Sequence, residues 1–135
     1  PRRRRLRLRL CSPELPAVNI VRMYAGADGA LVRAAASAGA RGIVIEAVAS
    51  GHGDGEMHEA IVEVMREGVP VVVSTRIPRG GTRVGYGFAG SSALLVEQGA
   101  VLSGDLSPWK ARIVLMLALQ QGDASTEALA RLFES

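Results

Sequence analysis

The sequence predicts an α/β fold built on a parallel sheet, and three observations carry that prediction. Ile43-Val44-Ile45 and Val69-Pro70-Val71-Val72-Val73 are continuous apolar runs, as strands covered on both faces require. Between them, residues 56–67 place apolar side chains at helical spacing. Strand-like and helix-like segments go on alternating along the chain, the pattern of strands joined by crossover helices. The expected architecture is a three-layer Rossmann-like (flavodoxin-like) parallel sheet of about four strands, with helices on both faces.

The elements follow in order. Residues 1–15 form a basic leader, either a linker or an edge strand. Leu6, Leu8 and Leu10 alternate with arginine as in an extended strand with one apolar face, and Ser12–Pro16 holds two prolines, a stiff connector. The α/β domain proper spans 16–135. Val18–Met23 is rich in β-branched residues and reads as its first strand. Asp28 is placed to cap a helix over about 30–38, with Leu31, Ala34, Ala35 and Ala38 on one face and Gly39 as its stop. The run 43–45 is the second strand. A helix over about 56–67 turns Met57, Ala60, Ile61, Val64 and Met65 inward and ends at Gly68. The run 69–73 is the third strand. A glycine-laden polar loop fills about 75–91, then come a helix near 92–98 and a strand at 100–102. Ser107-Pro108 opens an apolar helix to about Gln121, with proline at its first position. A short helix over about 125–133 closes the chain.

Composition narrows the classes. At 135 residues and 48% hydrophobic, the chain suits one compact domain and is no disordered or fibrous polymer. No apolar run approaches the roughly 20 residues of a membrane span. Cys11 is the single cysteine, which excludes an intrachain disulfide and a zinc framework and favours a reducing, cytoplasmic setting, with a periplasmic or secreted one as the alternative. The net charge of +3 is unevenly spread. Six of the sixteen basic residues fall in residues 1–10, so residues 11–135 carry ten basic against thirteen acidic groups. The body is mildly acidic. The leader lacks interleaved aromatic residues, and neither a nucleic-acid nor a membrane partner is expected. A first residue other than methionine suggests a piece of a longer protein.

In parallel α/β sheets ligands gather at the carboxyl ends of the strands, here at loops 24–29, 48–56 and 74–91. Gly51-His52-Gly53-Asp54-Gly55 follows a strand and opens a helix, so its backbone N–H groups could meet an anionic ligand. It is neither a dinucleotide fingerprint nor a P-loop, since Glu56 replaces the third glycine and no P-loop lysine is present. Asp54 either caps the helix or pairs with a ligand ammonium. His52 and His58 lack the i, i+4 spacing of a metalloprotease helix and read as solvated; no metal and no cofactor are expected. Ser50, Ser74 and Thr75 sit at strand ends without a nucleophile elbow, so no catalytic residue is assigned within this chain.

Four segments in order, 18–28, 39–46, 68–76 and 104–119, resemble the C-terminal domain of the bacterial-type, threonine-dependent L-asparaginase/glutaminase family. The Pro108–Leu119 segment with its Lys-Ala-Arg core is the most specific. The resemblance implies an amidohydrolase whose catalytic threonines occupy an N-terminal domain, in Thr-Gly-Gly-Thr-like and Gly-Thr-Asp-like motifs missing from this sequence. It implies a homodimer or homotetramer and a small amino-acid substrate. It also implies a G-x-G-N-type loop that touches the substrate head group. Gly51-His52-Gly53-Asp54 matches that loop with Asp54 in the asparagine position, making Asp54, His52 and Gly53 the expected substrate-binding residues. Many members add a glutamate before the last strand; the nearest positions, Ser91 and Ser92, are not acidic, and Glu97 falls in the helix. Two other readings stay open, a stand-alone small-ligand-binding module and an interaction domain that associates through helix 108–121.

Overall fold

The computed structural model describes residues 7–48, 55–79, 81–82 and 92–134. Four parallel strands, β1 (Val18–Arg22), β2 (Gly42–Ala47), β3 (Val71–Thr75) and β4 (Val101–Leu102), form one sheet in the order β1-β2-β3-β4. Helices α1 (Ala30–Ser37), α2 (Gly55–Arg66) and α3 (Ser92–Glu97) join successive strands; α4 (Pro108–Gln120) and α5 (Thr126–Phe133) follow β4. The expected α/β class, strand number and two-sided helix cover are all present.

The layers follow from side-chain alternation along the strands. Ile43, Ile45, Val71 and Val73 pack with Val32 of α1, Met57, Ile61 and Val64 of α2 and Leu95 of α3. Val44, Val72 and Val101 point the other way, onto Leu115 and Met116 of α4 and Leu129 and Phe133 of α5. Every residue of β2 and β3 is buried, so both predicted runs lie between two helix layers. The sheet order never reverses. Three right-handed crossovers stepping one way across a sheet leave their helices on one face, and the C-terminal pair covers the other.

Each of the first three helices ends by the same device. Gly39, Gly68 and Gly99 have φ of 95°, 94° and 110°. The residue after each donates to the carbonyl five back, Ala40 to Ala35, Val69 to Val64 and Ala100 to Leu95. This is the Schellman arrangement, and it turns the chain straight into the next strand.

Three local expectations change. Asp28 is not the cap of α1: Gly29 is, while Asp28 Oδ1 accepts from Ala30 N at 2.9 Å. The inward face of α1 is Val32, Ala35 and Ala36, and Leu31 is 54% exposed. α2 lies alongside α1 and selects that face, which helical spacing alone could not. Residues 7–15 add no strand to the sheet. They lie against the end of α4, with Gln120 Nε2 donating to the Ser12 and Glu14 carbonyls and Gln121 Nε2 to that of Arg9. Cys11 is exposed there.

Leu115→Ala should destabilise the domain by about 2–5 kcal/mol, the range for truncating a fully buried leucine, because Leu115 is wholly buried between α4 and the sheet. Leu31→Ala should stay within about 0.5 kcal/mol. Urea unfolding followed by circular dichroism measures both.

Candidate functional site at the carboxyl edge of the sheet

The α4 face of the sheet ends in a polar row. One residue pair beyond the apolar rank of Val44 and Val72, the register sets Arg22 beside Glu46 and Glu46 beside Ser74, with Ser103 just past the end of β4. Glu46 is the one acidic residue buried among the described residues. Its Oε1 lies 3.0 Å from Arg22 Nε; the Glu46 side chain is 7% exposed, that of Arg22 63%. An ionised carboxylate this deep needs such a partner.

Ser74 and Ser103 are also fully buried. Both hydroxyls donate to the Leu106 carbonyl, at 2.8 and 3.0 Å. They fasten the turn after β4, from which Ser107 caps α4 by accepting from Lys110 N. A second strap lies alongside. Thr82 N donates to Gly104 O at 2.9 Å, and a Cβ on Gly81 would stand 2.6 Å from that same oxygen. The two loops touch so closely that only glycine fits at 81.

Above this row opens a cleft of about 700 Å³ whose charged and aromatic lining includes Arg22, Glu46, Arg76, Arg79, Asp105 and Trp109. Arg76 is anchored by donating from its guanidinium to the Met23 carbonyl. Thr75 Oγ1 accepts from Ile77 N at 3.2 Å and starts the chain's turn over the cleft. Trp109, in the first turn of α4, is 66% exposed at the rim. A second groove, lined by Arg33, His58, Glu63 and Arg66, lies on the outer surface of α1 and α2. There Glu63 hydrogen-bonds Arg33 at 2.5 Å and raises the guanidinium above its ordinary value.

The expected site residues His52, Gly53 and Asp54 lie outside the described residues, as do Ser50 and Ser91. The described chain leaves β2 at the carboxyl edge and re-enters at Gly55, the first residue of α2. His58 is half-buried, and its Nδ1 is buried with no hydrogen-bond partner, so it is not the solvated histidine expected. Glu97 is exposed at the end of α3 and Ser92 is buried at its start. Arg79 lies in the 74–91 loop where a ligand was expected, whereas sequence reasoning missed Glu46, Arg22 and Trp109 as cleft residues; an acid inside an otherwise apolar strand was the available signal. Among the described residues no group of three or more histidines, cysteines and acids could hold a metal ion. No helix among them is long and apolar enough to cross a membrane.

The serine pair gives a measurable signature. Either hydroxyl alone keeps the Leu106 carbonyl satisfied, so Ser74→Ala and Ser103→Ala should each cost under about 1 kcal/mol, and the double variant should exceed their sum by about 1 kcal/mol. A double-mutant cycle in urea measures that coupling.

Comparison with known proteins agrees with this fold. The family model of the glutaminase/asparaginase C-terminal domain matches residues 17–133. The chain is 38% identical over 105 residues to an L-asparaginase of Bacillus licheniformis, covering 78% of this chain and 33% of that protein. It is 44% identical over 64 residues to a probable L-asparaginase of Deinococcus radiodurans, covering 47% of this chain and 20% of the relative. A crystal structure of a probable cytoplasmic L-asparaginase from Campylobacter jejuni superposes with a TM-score of 0.80 at 28% identity, over 90% of this chain and 38% of that one. The chain thus spans no more than about two fifths of the length of these relatives. With a family match that runs across nearly all of it and a fold that superposes over 90% of its length, this chain belongs to the glutaminase/asparaginase C-terminal domain family.

Proposed function

We propose that this chain is the C-terminal domain of an L-asparaginase-type amidohydrolase that converts asparagine to aspartate and ammonia in the cytoplasm. The observation that carries the reading is the match over residues 17–133 to a domain that makes up about a third of an L-asparaginase. In this reading a threonine hydroxyl of the N-terminal domain attacks the side-chain amide carbon. Ammonia leaves, and water releases the acid from the acyl intermediate. Backbone donors stabilise the oxyanion.

The part assigned to these 135 residues is head-group recognition and assembly. Asp54 would accept from the substrate ammonium, a charge-assisted contact that an aspartate makes as readily as an asparagine oxygen. Gly53 and His52 are assigned to the same head-group contact. Association as a homodimer or homotetramer would use α4, where Trp109 and Ile113 are 66% and 49% exposed one turn apart. Apolar side chains in that arrangement suit a helix-packed contact.

Two measurements test this. The 135-residue chain should release no ammonia from asparagine above a parallel blank, and appreciable hydrolysis would overturn the division of labour. Exchanging the matching segment of the Bacillus licheniformis L-asparaginase for residues 17–133 should keep asparagine hydrolysis. Asp54→Ala in that chimera should then lower kcat/KM by roughly 10–100-fold, as loss of one charge-assisted bond predicts. Sedimentation equilibrium should show self-association of the chain that Ile113→Asp abolishes.

A further inference from the structure

We propose that Gln120 and Gln121 are positioning residues that hold residues 9–14 on the end of α4, so that the chain entering this domain arrives along one fixed path. The proposal rests on the amidohydrolase reading, in which an N-terminal catalytic domain precedes this one. Both glutamines stand where α4 ends, Gln120 as its last residue and Gln121 as its cap. Their amides reach the backbone of a segment 106 to 112 positions away in sequence.

Gln120 uses its whole amide. Its Oε1 accepts from Cys11 N at 3.1 Å, and its Nε2 donates to the Ser12 and Glu14 carbonyls at 3.1 and 2.7 Å. Two N–H groups meet two carbonyls, so no donor is left over. Gln121 Nε2 donates to the Arg9 carbonyl at 2.7 Å and to the Leu117 carbonyl of its own helix at 2.9 Å. The bond within the helix fixes that side chain in place for the arm. The further contact of Gln121 with Cys11 Sγ is a weak one. The arm is thus gripped by its backbone at 9, 11, 12 and 14, much as a neighbouring strand would pair it. Its side chains turn away: Leu10 is 64% exposed, Leu15 45%, and Cys11 is exposed too. The path is fixed and the residues along it are left free to vary.

The hold continues into the sheet. Pro13 and Pro16 stiffen the backbone between the dock and β1. Beyond them Arg41 N donates to the Ala17 carbonyl and Arg112 Nε to that of Val18, both at 2.7 Å. Arg112 and Gln120 both belong to α4, and eight residues of helix separate them by about 12 Å. One rigid element therefore holds the entering chain at two levels. A flexible tether between domains needs no such row of partners. The dock stands at the far end of α4 from the carboxyl edge, where Ser107 starts the helix. It acts on the reaction by placement, because a misplaced domain misplaces the reacting groups.

Amide hydrogen exchange followed by NMR tests the dock in the 135-residue chain. The Cys11 N–H should exchange at least about tenfold more slowly than in a free peptide of residues 7–15. Gln120→Ala should return it to the peptide rate while Val44, in the core of β2, stays protected. Exchange at the peptide rate in the unmutated chain overturns the dock. Positioning is tested in the Bacillus licheniformis chimera, with the exchanged segment begun at residue 7. There Gln120→Ala combined with Gln121→Ala should lower kcat roughly tenfold with KM held within about twofold, since correctly placed sites bind as before but fewer molecules have them. Circular dichroism should be unchanged. An unaltered kcat, or a loss of kcat/KM carried by KM, overturns the positioning role. If the unmutated chimera releases no ammonia, the amidohydrolase reading falls and the positioning role with it, while Cys11 exchange still judges the dock.

Discussion

The constraint on which the rest of the structure depends is that β2 and β3 are buried along their whole length. A strand with no solvated face must have helices on both sides, and every backbone group along it must be paired. One layer comes from the crossovers α1 to α3, the other from α4 and α5. Because β2 has no wet side, Glu46 could not remain a solvated carboxylate. It needed Arg22 from the neighbouring strand, and that need places a charged pair at the edge of the apolar layer. The cleft chemistry is thus a by-product of two-sided burial.

Much of the fold was legible in the sequence because it is encoded locally. Ile43–Ile45 has no polar residue to turn outward, so it announces a strand covered twice over. Gly39 and Gly68 stand just where the helical periodicity stops, and the structure uses both at positive φ. Ser107-Pro108 fixes the start of α4 to the residue, since the serine hydroxyl and the proline ring both suit only a helix entrance. The face of α1 was not legible. Its alanines are nearly equivalent by hydrophobicity, and the choice of Val32 over Leu31 is made by α2 packed beside it.

The cleft was legible only in outline. That ligands gather at the carboxyl edge follows from parallel topology alone. Which side chains meet there depends on register across four strands, and register joins residues up to 81 positions apart, from Arg22 to Ser103. Arg22 falls within the predicted first strand and Glu46 just past the predicted second, and nothing local to either segment marks the other as its partner. Their pairing is a property of neither segment by itself.

The one-way strand order has a consequence for how another protein can reach this domain. Among the described residues the sheet ends at β4, a strand of two residues. So short an edge offers too few unpaired backbone groups to template a further strand. Sheet extension by an incoming chain is closed off on that side, whereas open-ended sheets invite it. Contact at that edge is left to side-chain shape and charge. The same truncation guards that one edge against edge-to-edge pairing, while the five-residue β1 forms the other edge of the sheet.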